Sequence, residues 1–107
     1  MSAHIYRLES AHRLPRMPPE HKCHRLHGHS YVVTVSVRGH YDQVAAGRVV
    51  EELDHRYLNE VPGLENPTAE NIARWIWRRL ERVADLQEIQ VAETSDAVCV
   101  YRGASNR

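Results

Sequence analysis

His27-Gly28-His29-Ser30-Tyr31-Val32-Val33-Thr34-Val35-Ser36-Val37 is the stretch from which the rest of the chain is best read. Successive side chains of an extended strand point to opposite faces. Tyr31, Val33, Val35 and Val37 therefore share one face, with His29 in the same row, while Val32, Thr34, Ser36 and Arg38 form a more polar row behind them. Unequal faces suit an antiparallel sheet covered on one side, and a strand is predicted over 29–38. The same period sends His27 and His29 to one side, so both imidazoles can reach one point in space. Gly28 removes side-chain bulk from the opposite face and permits a close approach there. Two imidazoles on one face are half of a zinc site. A solvated or core-filling pair is the plain alternative.

Two neighbours strengthen the metal reading. Four histidines and a cysteine fall within the nine positions 21–29. Upstream, His12 ends a strand predicted over 4–12, in which Tyr6, Leu8, Ser10 and His12 share a face. A polar connection bearing Pro15, Pro18 and Pro19 follows, and antiparallel pairing across it would set His12 beside His27 and His29. Three histidines without a fourth protein ligand leave an open position, the mark of a catalytic zinc. For His12 alone, a strand-end histidine bonded to backbone is the rival. Cys23 admits three readings: a fourth ligand closing a structural site, a thiolate favoured by Lys22, His24 and Arg25, or an inert buried thiol. His4, His21, His24 and His40 receive no role.

Downstream, Gly39 and Gly47 are read as bracketing a polar connection, and Pro62-Gly63 as a turn. A helix is predicted from Asn66-Pro67-Thr68, capped by Asn66 with Pro67 at its first position or by Thr68 itself. Ile72, Ala73, Ile76, Trp77, Leu80, Val83 and Ala84 fall on one arc, so this helix packs on the sheet with Trp77 towards the core. Strands over 88–93 and 97–101 complete the chain, joined by a Ser95-Asp96 turn, and Cys99 lies mid-strand as a structural residue.

The sequence has 107 residues, enough for one domain with a modest core, and its 14 basic and 14 acidic residues balance. That balance gives no bulk electrostatic case for a nucleic-acid or membrane partner. Lys22 is the only lysine; arginine forks suit phosphate, though surface ion pairs account for most of them. The two cysteines differ too much in context to suggest a disulfide framework, which points to a reducing compartment. With no membrane-length apolar run or signal segment, a cytoplasmic location is expected.

Ala11-His12-Arg13-Leu14-Pro15, His21-Lys22-Cys23, Leu26-His27-Gly28-His29-Ser30, Leu53-Asp54-His55-Arg56-Tyr57-Leu58-Asn59, Pro62–Thr68, Glu93-Thr94 and Tyr101-Arg102-Gly103 together resemble the 6-pyruvoyl-tetrahydropterin synthase family. The resemblance runs nearly end to end over 1–107 as a single domain, and is nearest the bacterial 6-carboxy-tetrahydropterin synthase branch of the queuosine pathway. It implies an α+β T-fold: a four-stranded antiparallel sheet with helices on one face, closed into a barrel by a trimer and doubled into a hexamer. Only one helix is confidently visible in the sequence itself. The family carries a full helix before Leu53, and with only Glu51-Glu52 in that interval the helix is expected to be missing. The resemblance further implies a lyase acting on 7,8-dihydroneopterin triphosphate. His12, His27 and His29 would hold Zn2+. Cys23 would be the thiolate base, Asp54 and His55 a second proton relay, and Glu93 with Thr94 the pterin-binding pair. The rivals in other classes are 6-pyruvoyl-tetrahydropterin formation, a non-catalytic zinc or pterin-binding module, and a structural zinc knot.

Overall fold

A computed structural model describes residues 1–13, 15, 16, 18, 20, 27–94 and 97–103, with the backbone alone at His27, His29 and Thr94. Strands β1 (Ser2–His12), β2 (His27–Tyr41), β3 (Ala84–Thr94) and β4 (Ala97–Tyr101) form one antiparallel sheet in the order β1-β2-β3-β4. Helices α1 (Gln43–Glu51) and α2 (Ala69–Leu80), with a 3-10 turn at Leu58–Glu60 between them, occupy the connection from β2 to β3. The Ser95-Asp96 turn lies outside the described residues.

The alternation in β2 sets the layers. Tyr31, Val33, Val35 and Val37 are buried, as are Leu8 on β1 and Ile89 and Val91 on β3. Against them pack Ile72, Ala73, Ile76 and Leu80 of α2, and Ala46, Val49 and Val50 of α1. Thr68 is the cap of α2, its hydroxyl accepting from the Asn71 N–H at 3.1 Å. Trp77 packs half-buried against the core, its ring edge-on to Tyr101 at 5.5 Å. Among the described residues no helix packs on the opposite face of the sheet. Ile5, Val98 and Val100 lie on it, 64%, 55% and 44% exposed.

Three boundaries depart from the sequence expectation. The helix expected to be missing before Leu53 is present as α1, with Asp42 capping it through a 3.0 Å bond from the Ala45 N–H. Ala46, Val49 and Val50 supply its buried stripe at helical spacing. Gly47 is an interior helix position, and a Cβ added there would meet nothing within 4 Å. Among the described residues the sheet thus has two helices packed on it, not one. Gly39 likewise lies inside β2, which continues to Tyr41. It falls where the β2–β3 register shifts, and a Cβ there would come within 2.7 Å of Asp85 Oδ2, which accepts from the His40 N–H at 2.8 Å. Finally, α2 stops at Leu80, and Ala84, read as part of its arc, begins β3.

Candidate active site

The ends of β1 and β2 that flank the Pro-bearing connection meet in register. His12 is paired with His27, Ala11 with Gly28, and Ser10 with His29. Partners in an antiparallel ladder share a face, so positions 12, 27 and 29 stand on one face, in the rows of Leu8, Ser10 and Tyr31. His12 is buried, 1% exposed, and its Nδ1 lies 2.8 Å from the Tyr31 hydroxyl. Among the described residues no group of three His, Cys, Asp or Glu side chains assembles. The side chains of His27 and His29, and all of Cys23, lie outside them.

Tyr31 is 1% exposed, and its phenol is pushed far above the ordinary tyrosine range, first by burial and then by the negative charge of Glu93. It is a neutral hydroxyl at any physiological pH. Continuing the register that pairs Val32 with Ala92 by one residue sets Glu93 across from Tyr31. Glu93 therefore stands at the same end of the sheet as His12, half-buried. Thr94 follows it at the strand end, its side chain outside the described residues.

Asp54 and His55 arrive by another route. Leaving α1, the chain runs along the outer edge of β1: the His55 N–H donates to Glu9 O at 2.6 Å, the Ala11 N–H to Arg56 O at 3.0 Å, and Ala11 and Tyr57 form a parallel bridge. The Ser10 hydroxyl donates to Leu53 O from the buried side. Asp54 Oδ1 accepts from the Glu9 N–H at 2.9 Å, and Oδ2 lies 3.1 Å from His55 Nδ1. The Glu9 bond, more than the His55 contact, holds the Asp54 carboxyl below its ordinary value. Asp54 therefore commits its carboxylate to the edge of β1 and to His55 and caps no helix. His55 has φ +58°, a left-handed conformation that histidine tolerates at a cost of roughly 1–2 kcal/mol. Its side chain is 78% exposed.

This edge lines a groove of about 590 Å3 between Glu9, Gly28, Ser30, His55, Arg56 and Tyr57. Ser30 donates to the Glu9 carboxylate at 2.5 Å, and Gly28 leaves open space where a Cβ would project. Glu9, Gly28 and Ser30 alternate with Ser10, His12, His27 and His29 along their strands, so the groove opens on the face that no helix covers. One chain thus brings His12, Tyr31 and Glu93 together, and holds Asp54 and His55 on the edge and opposite face.

Reasoning from sequence missed three contributors. Glu9 anchors Asp54, His55 and Ser30. Asn59 clamps the residue after His12, accepting from the Arg13 N–H and donating to Arg13 O, both at 2.9 Å. Tyr31, placed only on the apolar face of β2 by the sequence and given no site role, is the third. Its place in the row of His29 was the available signal.

The sequence model of the family described as 6-pyruvoyl tetrahydropterin synthase matches residues 3–104. The chain belongs to this family. Among similar proteins, 6-carboxy-5,6,7,8-tetrahydropterin synthase of Synechocystis sp. is 37% identical over 119 aligned residues, covering 90% of this chain and 88% of the relative. That alignment is longer than the 107-residue chain, so it crosses positions this chain lacks. The 6-pyruvoyl tetrahydrobiopterin synthase of Dictyostelium discoideum is 34% identical over 100 residues, covering 77% of this chain and 74% of the relative. In fold, the chain is similar to Caenorhabditis elegans 6-pyruvoyl tetrahydropterin synthase, with a TM-score of 0.80 at 24% identity over 96% of this chain and 94% of that one. No helix among the described residues is long and apolar enough to cross a membrane.

Proposed function

We propose that this chain is a zinc-dependent lyase that converts 7,8-dihydroneopterin triphosphate and water to 6-carboxy-5,6,7,8-tetrahydropterin, acetaldehyde and triphosphate, a step towards queuosine. The observation that carries the reading is the pairing of His12 with His27, two rungs from the Ser10–His29 pair on the same face, at the end of the sheet where Glu93 also stands. The similarity to the Synechocystis 6-carboxy-5,6,7,8-tetrahydropterin synthase supports the choice of product. The residues fit zinc: three histidine positions on one face, two of them a cross-strand pair and the third two residues along, with the His12 ring already held by a hydrogen bond through Nδ1. His12, His27 and His29 would hold the ion. When bound, it would supply Lewis acidity towards the substrate's side-chain oxygens.

The chain's own residues do the rest. Glu93 accepts from the pterin N–H groups as a carboxylate, with Thr94 beside it, and fixes the ring against the histidine row. Cys23 takes a side-chain proton as a thiolate. Asp54, ionised through the Glu9 bond, orients the His55 imidazole for the second proton transfer.

Because Asp54 and His55 are held on the edge and outer face, they serve the histidine row of a neighbouring copy. The exposed Ile5, Val98 and Val100, with two open sheet edges, favour closure of three sheets into a barrel, doubled to a hexamer. Light scattering coupled to size exclusion tests this, and a monomer at micromolar concentration overturns it.

Incubation of the zinc-loaded protein with 7,8-dihydroneopterin triphosphate, followed by acetaldehyde trapping and chromatography of the pterin, tests the activity. Stoichiometric acetaldehyde is expected. A pyruvoyl product without acetaldehyde selects 6-pyruvoyl-tetrahydropterin synthesis instead, and pterin binding without turnover rejects both enzymes.

A further inference from the structure

We propose that Tyr31 is a positioning residue for the zinc site: its hydroxyl fixes the ring orientation and tautomer of His12, so that Nδ1 carries the proton and Nε2 faces the metal. The inference rests on the zinc reading above. A ligating imidazole presents a lone pair from one nitrogen and carries its proton on the other, and the partner of that second nitrogen determines which is which. In this chain that partner is Tyr31. Nδ1 of His12 lies 2.8 Å from the Tyr31 hydroxyl, in a pocket where both residues are 1% exposed. Water therefore does not compete for that nitrogen.

A phenol can give or take this hydrogen bond. If Tyr31 donates to Nδ1, the proton of neutral His12 sits on Nε2, the tautomer that cannot ligate through that atom. If Nδ1–H donates, Tyr31 is the acceptor and its own O–H turns to another acceptor. Glu93 stands across the strand register from Tyr31 and its charge is felt at the phenol. A carboxylate there is the kind of acceptor the phenol O–H needs when Tyr31 accepts from His12. The His12–Tyr31 bond thus ties the first proposed metal ligand to the end of the sheet that carries Glu93, the residue assigned to the pterin, within one subunit.

The test compares the native chain with Tyr31→Phe, which keeps the buried ring and removes only the hydroxyl. Zinc affinity is measured by competition with a chromogenic chelator, and the imidazole tautomers by long-range 1H–15N correlation on zinc-loaded protein. The native chain is expected to show His12 metal-bound at Nε2 with an exchange-protected Nδ1 proton near the Tyr31 ring. Tyr31→Phe is expected to lose roughly 10- to 100-fold in zinc affinity. Equal affinity and an unchanged His12 signature in the variant overturn the inference, while the zinc reading stands. Failure of the native chain to bind one zinc per subunit overturns the zinc reading itself. If Tyr31→Phe does not fold, the native spectrum still decides: His12 ligating through Nδ1 overturns the inference.

Discussion

Asp54 receives the backbone N–H of Glu9 at 2.9 Å, and through that one bond a residue at the end of α1 is fastened to the edge of β1. The bond is the largest cause of the depressed Asp54 pKa. A depressed carboxyl contributes stability that is complete above its unfolded-state pKa and lost as pH falls through the folded one. Replacing Asp54 by Asn keeps an acceptor for the Glu9 N–H but removes the charge. The native chain is expected to be more stable than Asp54→Asn at neutral pH, with the difference shrinking only below the ordinary aspartate value of 3.8. Urea midpoints of both proteins, followed from about pH 6 into strong acid, check this. A pH-independent difference would mean that the charge is immaterial.

His55 occupies a backbone region that suits glycine better. His55→Gly is therefore expected to stay within about 1 kcal/mol of native stability, the relieved strain offsetting the lost contact to Asp54 and the added chain entropy. Activity is expected to fall by roughly 100-fold or more if His55 transfers a proton. Thermal melts and turnover on the same preparation separate the two effects. Full activity in a stable variant removes His55 from the mechanism.

Gly47 sits inside α1 with open space at its absent Cβ. Gly47→Ala is expected to stabilise the chain by roughly 0.5–1 kcal/mol through helix propensity, without affecting turnover. Denaturant titration gives the sign. Destabilisation would show that another copy packs against that face.

The two cysteines are expected to differ in reactivity. Burial raises the Cys99 pKa above that of an ordinary thiol, so less of it is thiolate near neutral pH. Iodoacetamide near pH 7 is expected to label Cys23 well before Cys99, in parallel with loss of activity, and Cys99→Ala to remain active. Peptide mass mapping reads both sites, and preferential labelling of Cys99 would count against a thiolate role for Cys23.

Much of this architecture was legible because β2 alternates so regularly: the buried row from Tyr31 to Val37 needed only the two-residue period. The meeting of His12 with His27 followed from the same logic, given a hairpin. Helix α1 was not legible, since Gly39 and Gly47 read as loop signals, and only Asp85 against Gly39 and the bare helix surface at Gly47 explain them. The Tyr31–His12 bond was hidden for a different reason. A tyrosine in a strand row reads as core until the residue beneath its hydroxyl is known. Likewise, no local pattern announces that Glu9 will serve Asp54, 45 positions away.

The loop on the edge of β1 also limits how sheets can be joined. Glu9 and Ala11 use their outward backbone groups on His55, Asp54 and Arg56, which leaves Ala3, Ile5 and Arg7 as the outward-facing residues of β1 available to another strand. The remaining free run, residues 3–7, has the length of β4, which spans only the five residues Ala97–Tyr101. A strand docking there cannot slide towards His12, because the loop blocks that end. In the proposed assembly, the same segment that presents His55 would act as a ruler, setting the stagger between copies and with it the distance at which one chain's His55 could meet another's histidine row.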